Sequence, residues 1–339
     1  METQKRYPLL KIAIAVLNWN GQELLQKFLP KVEKFSQQTD IYLIDNGSDD
    51  GSIAYVEKNH PMVKVICNGK NYGPSKGYNE GLKNIKADVY CLLSSDVEVT
   101  ESWLEPIVEI FSEDTGVAVV QPKILDHRRR SHFEYAGAGG GFIDNWGYPY
   151  CRGRLFDTVE ADIGQYNDTT EIFWCVGACL FVRSEKFWEV DGFDTEFFTY
   201  MEEIDLCWRF RNIGYKVYYT ARSVVYHLGG GTLNPQSSTR SFQIFLHNLL
   251  MLTKNLPAER LFTVLLIRLT FDIIAGLKFF LTIGPQHGWA IIKSHFYFYK
   301  KFLTYYKKRT SKPIKNYYRH KNIVFQYFIY KRKNFLALK

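Results

Sequence analysis

Four short apolar runs, Ile12–Leu17, Ile41–Ile44, Val63–Ile66 and Val89–Leu93, punctuate the first third of the chain. Each is continuous rather than alternating, the pattern of a strand covered on both faces. Between and after them lie amphipathic stretches, Gln22–Phe35, Ser52–Lys58, Ser75–Lys86 and Ser102–Phe111. The rhythm is βαβα. It predicts an α/β fold: a Rossmann-like, mostly parallel sheet with helices on both faces. Polar residues follow the strands at once: Asn18 and Asn20, then Asp45 to Ser48, then Asn68 to Asn71, then Ser94 to Asp96. Ligands of open α/β sheets bind beyond the carboxyl ends of strands, so these four clusters are expected to line one crevice.

The pattern weakens from Gln121 to Thr170, where glycines, aromatics and the basic run His127–Arg130 predict long loops. It resumes with an apolar stretch at Ile172–Val182, a helix over Met201–Asn212 and strands near Lys216–Tyr219 and Ser223–His227. Gly229, Gly230 and Gly231 mark a connection expected to be mobile. We therefore expect one domain over residues 1–235 and a helical, basic and aromatic extension over 236–339. In that extension Leu261–Gly284 is apolar enough to resemble a membrane span, but Arg268, Asp272 and Lys278 make crossing expensive. An interfacial or re-entrant helix is expected there, with an ordinary helical bundle as the alternative.

Charge sharpens this division. After Asp272 there is no acidic residue, while Lys and Arg number 15; the first 272 residues carry net −7. A basic, Tyr- and Phe-rich tail suits an anionic membrane surface. Nucleic acid ranks below it, because RNA-binding tails seldom follow so hydrophobic a segment. With 46% hydrophobic residues in 339 the chain can bury a sizeable core, which excludes wholesale disorder. The six cysteines show neither a C-x-x-C pair nor zinc spacing and are expected to be buried free thiols. No secretory signal is visible, so the expected location is cytoplasmic, peripheral on the inner face of the cell membrane.

A P-loop and a dinucleotide-binding glycine fingerprint are both absent. Asn46 to Glu57 imitates a calcium loop, but it starts on Asn and follows a strand, so it is read as coincidence. What remains is spread along the chain. Asp45 can accept a hydrogen bond from a nucleobase or a ribose, or else cap its own turn. Asp96 ends a very apolar strand, where a carboxylate is costly unless it faces a cleft or a cation. Glu202, Glu203 and Asp205 crowd one helical turn, and His227 closes an apolar strand at the same end of the sheet.

Together these residues resemble the inverting family 2 glycosyltransferases, in their rhamnosyltransferase-like branch, over about residues 10–235. The resemblance runs through Leu17-Asn18-Trp19-Asn20-Gly21, Asp45-Asn46-Gly47-Ser48, Asn71-Tyr72-Gly73 with Gly77-x-Asn79, and Trp174-Cys175-Val176-Gly177-Ala178. It continues through Gly192-Phe193-Asp194, Phe197 to Arg209 and Val225-Tyr226-His227. It implies the nucleotide-diphospho-sugar transferase (GT-A) fold and a divalent cation, Mg²⁺ or Mn²⁺. Donor-binding roles are implied for Asn18, Asn20, Asp45, Asn46, Asn71, Gly73, Asn79, Ser95 and Asp96, and metal ligation for Asp96 and His227. Trp174, Gly177, Ala178 and Asp205 are implied on the acceptor side, with Glu203, and Glu202 beside it, as catalytic carboxylates. The implied reaction moves a sugar from a nucleotide-diphosphate donor, such as dTDP-rhamnose, to a hydroxyl of a saccharide or lipid-linked saccharide.

Two positions depart from the family pattern. Its Asp-x-Asp metal motif falls on Ser94-Ser95-Asp96, and its Glu-Asp base motif becomes Glu202-Glu203. The first departure keeps an alternative open: a catalytically weakened nucleotide-sugar-binding protein at the membrane surface. An oxidoreductase is disfavoured by the missing glycine fingerprint, and a purely structural role by acids at strand ends. Oligomeric state is not addressed by the sequence.

Overall fold

The computed structural model describes residues 10–229 and 237–339; Gly230 and Gly231 of the glycine run lie outside the described residues. The expected βαβα rhythm is present. Strand β1 (Ile12–Asn18) leads through α1 (Gln22–Phe35) to β2 (Asp40–Asp45), then α2 (Ser52–Asn59), β3 (Lys64–Cys67), α3 (Gly73–Leu82) and β4 (Val89–Ser94). Pairing among these four strands is parallel, in the order β4-β1-β2-β3. Ala13, Ile14, Ala15, Leu92 and Leu93 are inaccessible, which explains why their runs are continuous rather than alternating.

The second half of the sheet is mixed. After β5 (Val97–Val99) and α4 (Glu105–Glu113), β6 (Val117–Asp126) runs through the segment whose pattern predicted loops. Its apolar run is broken by Gln121, Pro122 and Lys123, each accommodated inside the protein. Gln121 Nε2 donates to the Gly137 carbonyl at 3.2 Å, and Lys123 pairs with Asp162 at 2.7 Å. Pro122 falls where the ladder to the neighbouring strand breaks register. That neighbour is β13 (Lys216–His227), a single strand where the sequence pattern predicted two, because the break between Thr220 and Val224 interrupts its hydrophobic run.

Four pieces of two or three residues, β7 (Gly141–Ile143), β8 (Pro149–Cys151), β9 (Arg154–Leu155) and β10 (Thr158–Val159), form a small separate sheet. With β11 (Thr169–Glu171) and β12 (Cys179–Arg183) the main sheet reads β11-β13-β6-β12-β4-β1-β2-β3, and β5 pairs with β13. Strand β12 is antiparallel to both neighbours and joins the parallel β4-β1-β2-β3 half to the mixed half through β6. Helices α5 (Ser184–Glu189) and α6 (Glu202–Asn212) precede β13. All six cysteines are free; five are buried as expected, and Cys67, at the end of the edge strand β3, is exposed.

The extension is helical, with α7 (Ser238–Asn255), α8 (Ala258–Thr282), α9 (Pro285–Lys307) and the short α10 (Ile323–Phe328). No helix among the described residues is long and apolar enough to cross a membrane. Beyond α9 the chain returns to the α/β body. Tyr317 Oη donates to the Asn145 carbonyl at 2.9 Å, and the Ile323 amide donates to Asp144 Oδ2 at 3.0 Å. Phe335 packs on Phe142 and Tyr150. The last thirty residues are thus strapped over the small sheet, and Tyr317, Ile323, Tyr327, Phe335 and Leu338 among them join the core of the body.

Candidate active site

The polar clusters after β1, β2 and β3 converge, as their common strand end requires. Asn18 Nδ2 donates to Asp45 Oδ1 at 3.0 Å and to Ser48 Oγ at 3.1 Å. Asp45 also accepts from the amides of Gly47 and Ser48 (3.0 and 2.9 Å) and from Ser48 Oγ at 2.6 Å. Of the two roles open to Asp45 the structure displays the turn-capping one, with both oxygens engaged. Asn46 Nδ2 donates to Asn71 Oδ1 and to the Gly73 carbonyl, and Asn71 Oδ1 accepts from the Gly73 amide at 2.8 Å. Gly73 has φ +73°, and a Cβ there would lie 2.6 Å from the Phe198 carbonyl, so this close approach needs glycine. Asn20 sits exposed at φ +50° and accepts from the Asp49 amide at 2.9 Å. Asn79 is turned away from the loops: it is buried and clamps the backbone of Phe193 through both amide atoms, at 2.8 and 3.0 Å.

One polar group here is left over. Asn18 Oδ1 is buried without a hydrogen-bond partner, under a Gly21 whose Cβ would approach it to 2.5 Å. Ser95 is buried beneath the same glycine.

Asp96 and His227 meet where β4 and β13 end. Asp96 Oδ1 lies 3.2 Å from His227 Nε2, within ion-pair distance, yet without the alignment of a hydrogen bond. The other ring nitrogen, Nδ1, lies 3.3 Å from Glu134 Oε1, again unaligned. Burial works against charge on the imidazole, but Asp96 and then Glu134 override it and raise His227 to about 10. Burial likewise opposes the charge on Asp96, and His227 and the Ser94 hydroxyl hold its carboxyl below the usual range. Glu134 was invisible to sequence reasoning. It stands alone in a glycine- and aromatic-rich segment, and only the antiparallel return of the chain brings it to the histidine. Among the described residues no three His, Cys, Asp or Glu side chains converge as a ready-made metal cage.

The second acidic cluster opens α6. Glu202 is buried and Glu203 half-buried, each with one carboxylate oxygen lacking a partner. Burial pushes Glu203 up to about 7; burial and the neighbouring Glu203 raise Glu202 well above the ordinary range. The helix starts at Met201 with φ +71°, and Tyr200 before it has φ +66°, so the acids are presented by a bent, left-handed entry. Cys151, in the small sheet, lies within electrostatic reach of both Glu134 and Glu203.

Asp205 separates from this pair. It is inaccessible, and its carboxylate is consumed by Arg209 (2.8 Å), Lys254 (2.9 Å) and Asn255 (2.8 Å). The geometry makes it a tie between α6 and α7. Trp174 is also withdrawn: buried, with Nε1 donating to the Phe142 carbonyl at 2.8 Å. Ala178 is buried, and its carbonyl accepts from the Ser94 amide at 2.9 Å. Gly177, beside it, is half-buried, and a Cβ there would meet open space. Of the acceptor-side residues the resemblance implies, Gly177 alone borders a space a ligand can enter.

This combination of strand-end amides, a carboxylate–imidazole pair and a buried pair of glutamates agrees with the comparison to known families. The model of glycosyl transferase family 2 matches residues 13–190, more than half of the chain. The chain belongs to this family.

One relative of this glycosyltransferase is the N-acetylglucosaminyl-diphospho-decaprenol L-rhamnosyltransferase of Mycobacterium tuberculosis. It is 26% identical over 247 residues, covering 65% of this chain and 77% of the relative. Among solved structures, the mannosyltransferase PcManGT from Pyrobaculum calidifontis, in complex with GDP-Man and Mn²⁺, superposes with a TM-score of 0.52 at 12% identity. That match covers 90% of this chain and 87% of the other. GalNAc-T7 with UDP, GalNAc and Mn²⁺ gives a TM-score of 0.57 at 17% identity, covering 75% of this chain; the present chain spans about half (49%) of its length. These likenesses show the GT-A fold, in agreement with the expected architecture.

Proposed function

We propose that this glycosyltransferase is inverting and metal-assisted, moving a sugar from a nucleotide-diphosphate donor to a hydroxyl of a saccharide or lipid-linked saccharide. The observation that carries this reading is the contrast in satisfaction. Asp96, His227, Glu202, Glu203 and the Asn18 amide oxygen keep buried polar atoms without partners, whereas Asp45, Asn46, Asn71 and Asp205 are satisfied by their neighbours. Orphaned buried polar groups mark places where a ligand completes the structure.

Glu203 is the proposed base. With its carboxyl near 7 it holds an acceptor proton at Oε while the hydroxyl oxygen attacks the anomeric carbon. One displacement inverts that centre, and the bond to the diphosphate breaks with its electrons. The loops that carry Asn18, Asp45, Asn46 and Asn71 shape the donor side through their mutual bonds, with the orphaned Asn18 Oδ1 available to the donor. Asp96 and His227, a carboxylate and an imidazole at one strand end, would hold Mg²⁺ or Mn²⁺ as two protein ligands, His227 giving up on binding the proton that Asp96 and Glu134 favour. Bound there, the cation supplies charge neutralisation for the leaving diphosphate. A rhamnosyl donor and a lipid-linked acceptor are supported by the name of the mycobacterial relative. Such an acceptor calls for a protein peripheral to the membrane.

The test is a panel of nucleotide sugars, dTDP-rhamnose included, with product mass spectrometry, run with Mn²⁺ and with chelator. One donor should release its nucleoside diphosphate only when acceptor is present. Asp96→Asn should keep the circular dichroism spectrum and lose about 10²-fold or more of Mn²⁺-dependent turnover. Near-normal turnover would retire Asp96 as a ligand. Donor binding without release on any acceptor would favour the weakened-binder reading that Ser94 invites.

A further inference from the structure

The catalytic reading uses nothing of the α8–α9 hairpin, yet that hairpin shows an apolar surface to the outside. On α9, Trp289, Ile292, Phe296, Tyr299, Leu303 and Tyr306 recur at alternating three- and four-residue steps, and each is between 49% and 70% exposed. That spacing makes a single stripe along the helix. On α8, Leu266, Ile273, Leu277 and Phe280 form a second exposed stripe. Other residues hold the hairpin to the protein: Leu261 and Val264 on α8, Ile291 and Phe298 on α9, all buried.

A groove of about 410 Å³ runs between the stripes. The helices approach closely because of two glycines: a Cβ on Gly288 would lie 3.0 Å from the Gly276 carbonyl. Asp272, at the groove floor, is inaccessible and paired with Arg268 (3.3 Å) and His295 (3.1 Å). The surface offered outward is therefore hydrocarbon.

Charge decides what covers it. Lys293, Lys300 and Lys307 follow at seven-residue intervals, all exposed, and α9 contains no acidic residue. The Lys300 ammonium lies 4.4 Å from the Phe296 ring centroid, so its stem lies along the apolar stripe. On α8 the acids are Glu259, in its first turn, and the paired Asp272. A second copy seated on this face would set lysine rows beside each other with no carboxylate between them. An anionic leaflet satisfies both features at once: acyl chains take the stripes and headgroup phosphates take the lysines. Arg268, Asp272 and Lys278 keep α8 from crossing, so the hairpin lies in the plane of the interface.

We propose that the α8–α9 hairpin is a monotopic docking surface for an anionic lipid leaflet, which the strapped-down basic terminus beyond it is not. This rests on the membrane-peripheral reading above and names its contact.

The test is flotation of the full-length protein with phosphatidylcholine vesicles, with and without phosphatidylglycerol. Wild type should float with the anionic vesicles at low salt and less at high salt. Combining Ile273→Glu with Leu277→Glu should lower partitioning by about tenfold or more, with an unchanged circular dichroism spectrum and unchanged turnover on a water-soluble acceptor. Changing Lys293, Lys300 and Lys307 to Gln should weaken binding to anionic vesicles only. The proposal is overturned if the double variant floats like wild type. It is equally overturned if wild type ignores vesicles and light scattering shows a dimer that the double variant dissolves. Absent turnover on every donor and acceptor would refute the transferase mechanism while leaving flotation intact, so the two failures are distinguishable.

Discussion

Asp45 and Asp96 occupy equivalent places, each at the end of an apolar parallel strand, and the structure treats them oppositely. Asp45 is saturated by a side-chain amide, a hydroxyl and two backbone amides. Asp96 faces a histidine without an aligned hydrogen bond. The same division separates Asp205 from Glu203 within one helical turn: the first is tied down by Arg209, Lys254 and Asn255, the second keeps a free oxygen. Carboxylates that folding alone satisfies and carboxylates that it leaves open thus alternate through the site, and the proposed function gives the chemistry to the second kind.

If that division is right, the largest effect should come from a carboxylate that folding leaves unsatisfied. Glu203→Gln should lower turnover by about 10²–10⁴-fold, the contribution of a positioned general base, while donor binding by calorimetry stays within error. Glu202→Gln is the control. A larger loss there than at Glu203 would assign the base to the other glutamate.

A saturated carboxylate should behave in the reverse way. Asp205→Asn leaves Arg209 and Lys254 without their buried partner, although Lys254 retains Asp194 at 3.0 Å. The expected cost is about 3 kcal/mol of stability, the low end for breaking a buried pair. Urea unfolding would measure it, alongside donor affinity, which should not change. Loss of affinity at full stability would move Asp205 back to the acceptor side.

The comparison also explains what was legible in the sequence. Strands β1, β2 and β4 were readable because covered strands write continuous apolar runs, whereas the edge strand β3, half-buried to exposed, was readable from its short apolar run alone. Strand β6 was not, because Gln121, Pro122 and Lys123 are buried polar or ring residues whose satisfaction comes from Gly137, Asp162 and a break in the ladder, all distant in sequence. Strands β7 to β10 are too short to show any period. Within the site, strand-end position brought out Asp45 and Asp96, and crowding in one helical turn brought out Asp205 and Glu203, with no distinction inside either pair. Only the fold shows that Asn255, Lys254 and Arg209 reach one of them and leave another open. Glu134 carries no motif and lies far from His227 along the chain, so nothing local could have announced it.

The smallest effect concerns pH, where chemistry and folding should pull against each other at a single residue. Burial raises Glu203 from its ordinary 4.5 to about 7. As a base it works only when deprotonated, so log kcat should rise with unit slope below about pH 7 and level off above it. The stability contribution runs the other way. A carboxyl whose folded value lies above its unfolded value favours the native state most below the unfolded value, near 4.5, and loses that contribution as pH rises through about 7. Between these two values the enzyme should therefore gain rate while losing stability. Replacing Glu203 with Gln should flatten the rate curve over that interval and leave the stability curve only the slope that Glu202 still contributes, whereas Asp205→Asn should leave the rate profile in place. A rate profile with its inflection near 4.5 would mean that the base is a solvated carboxylate elsewhere, and the buried pair on α6 would join Asp45 among the scaffold.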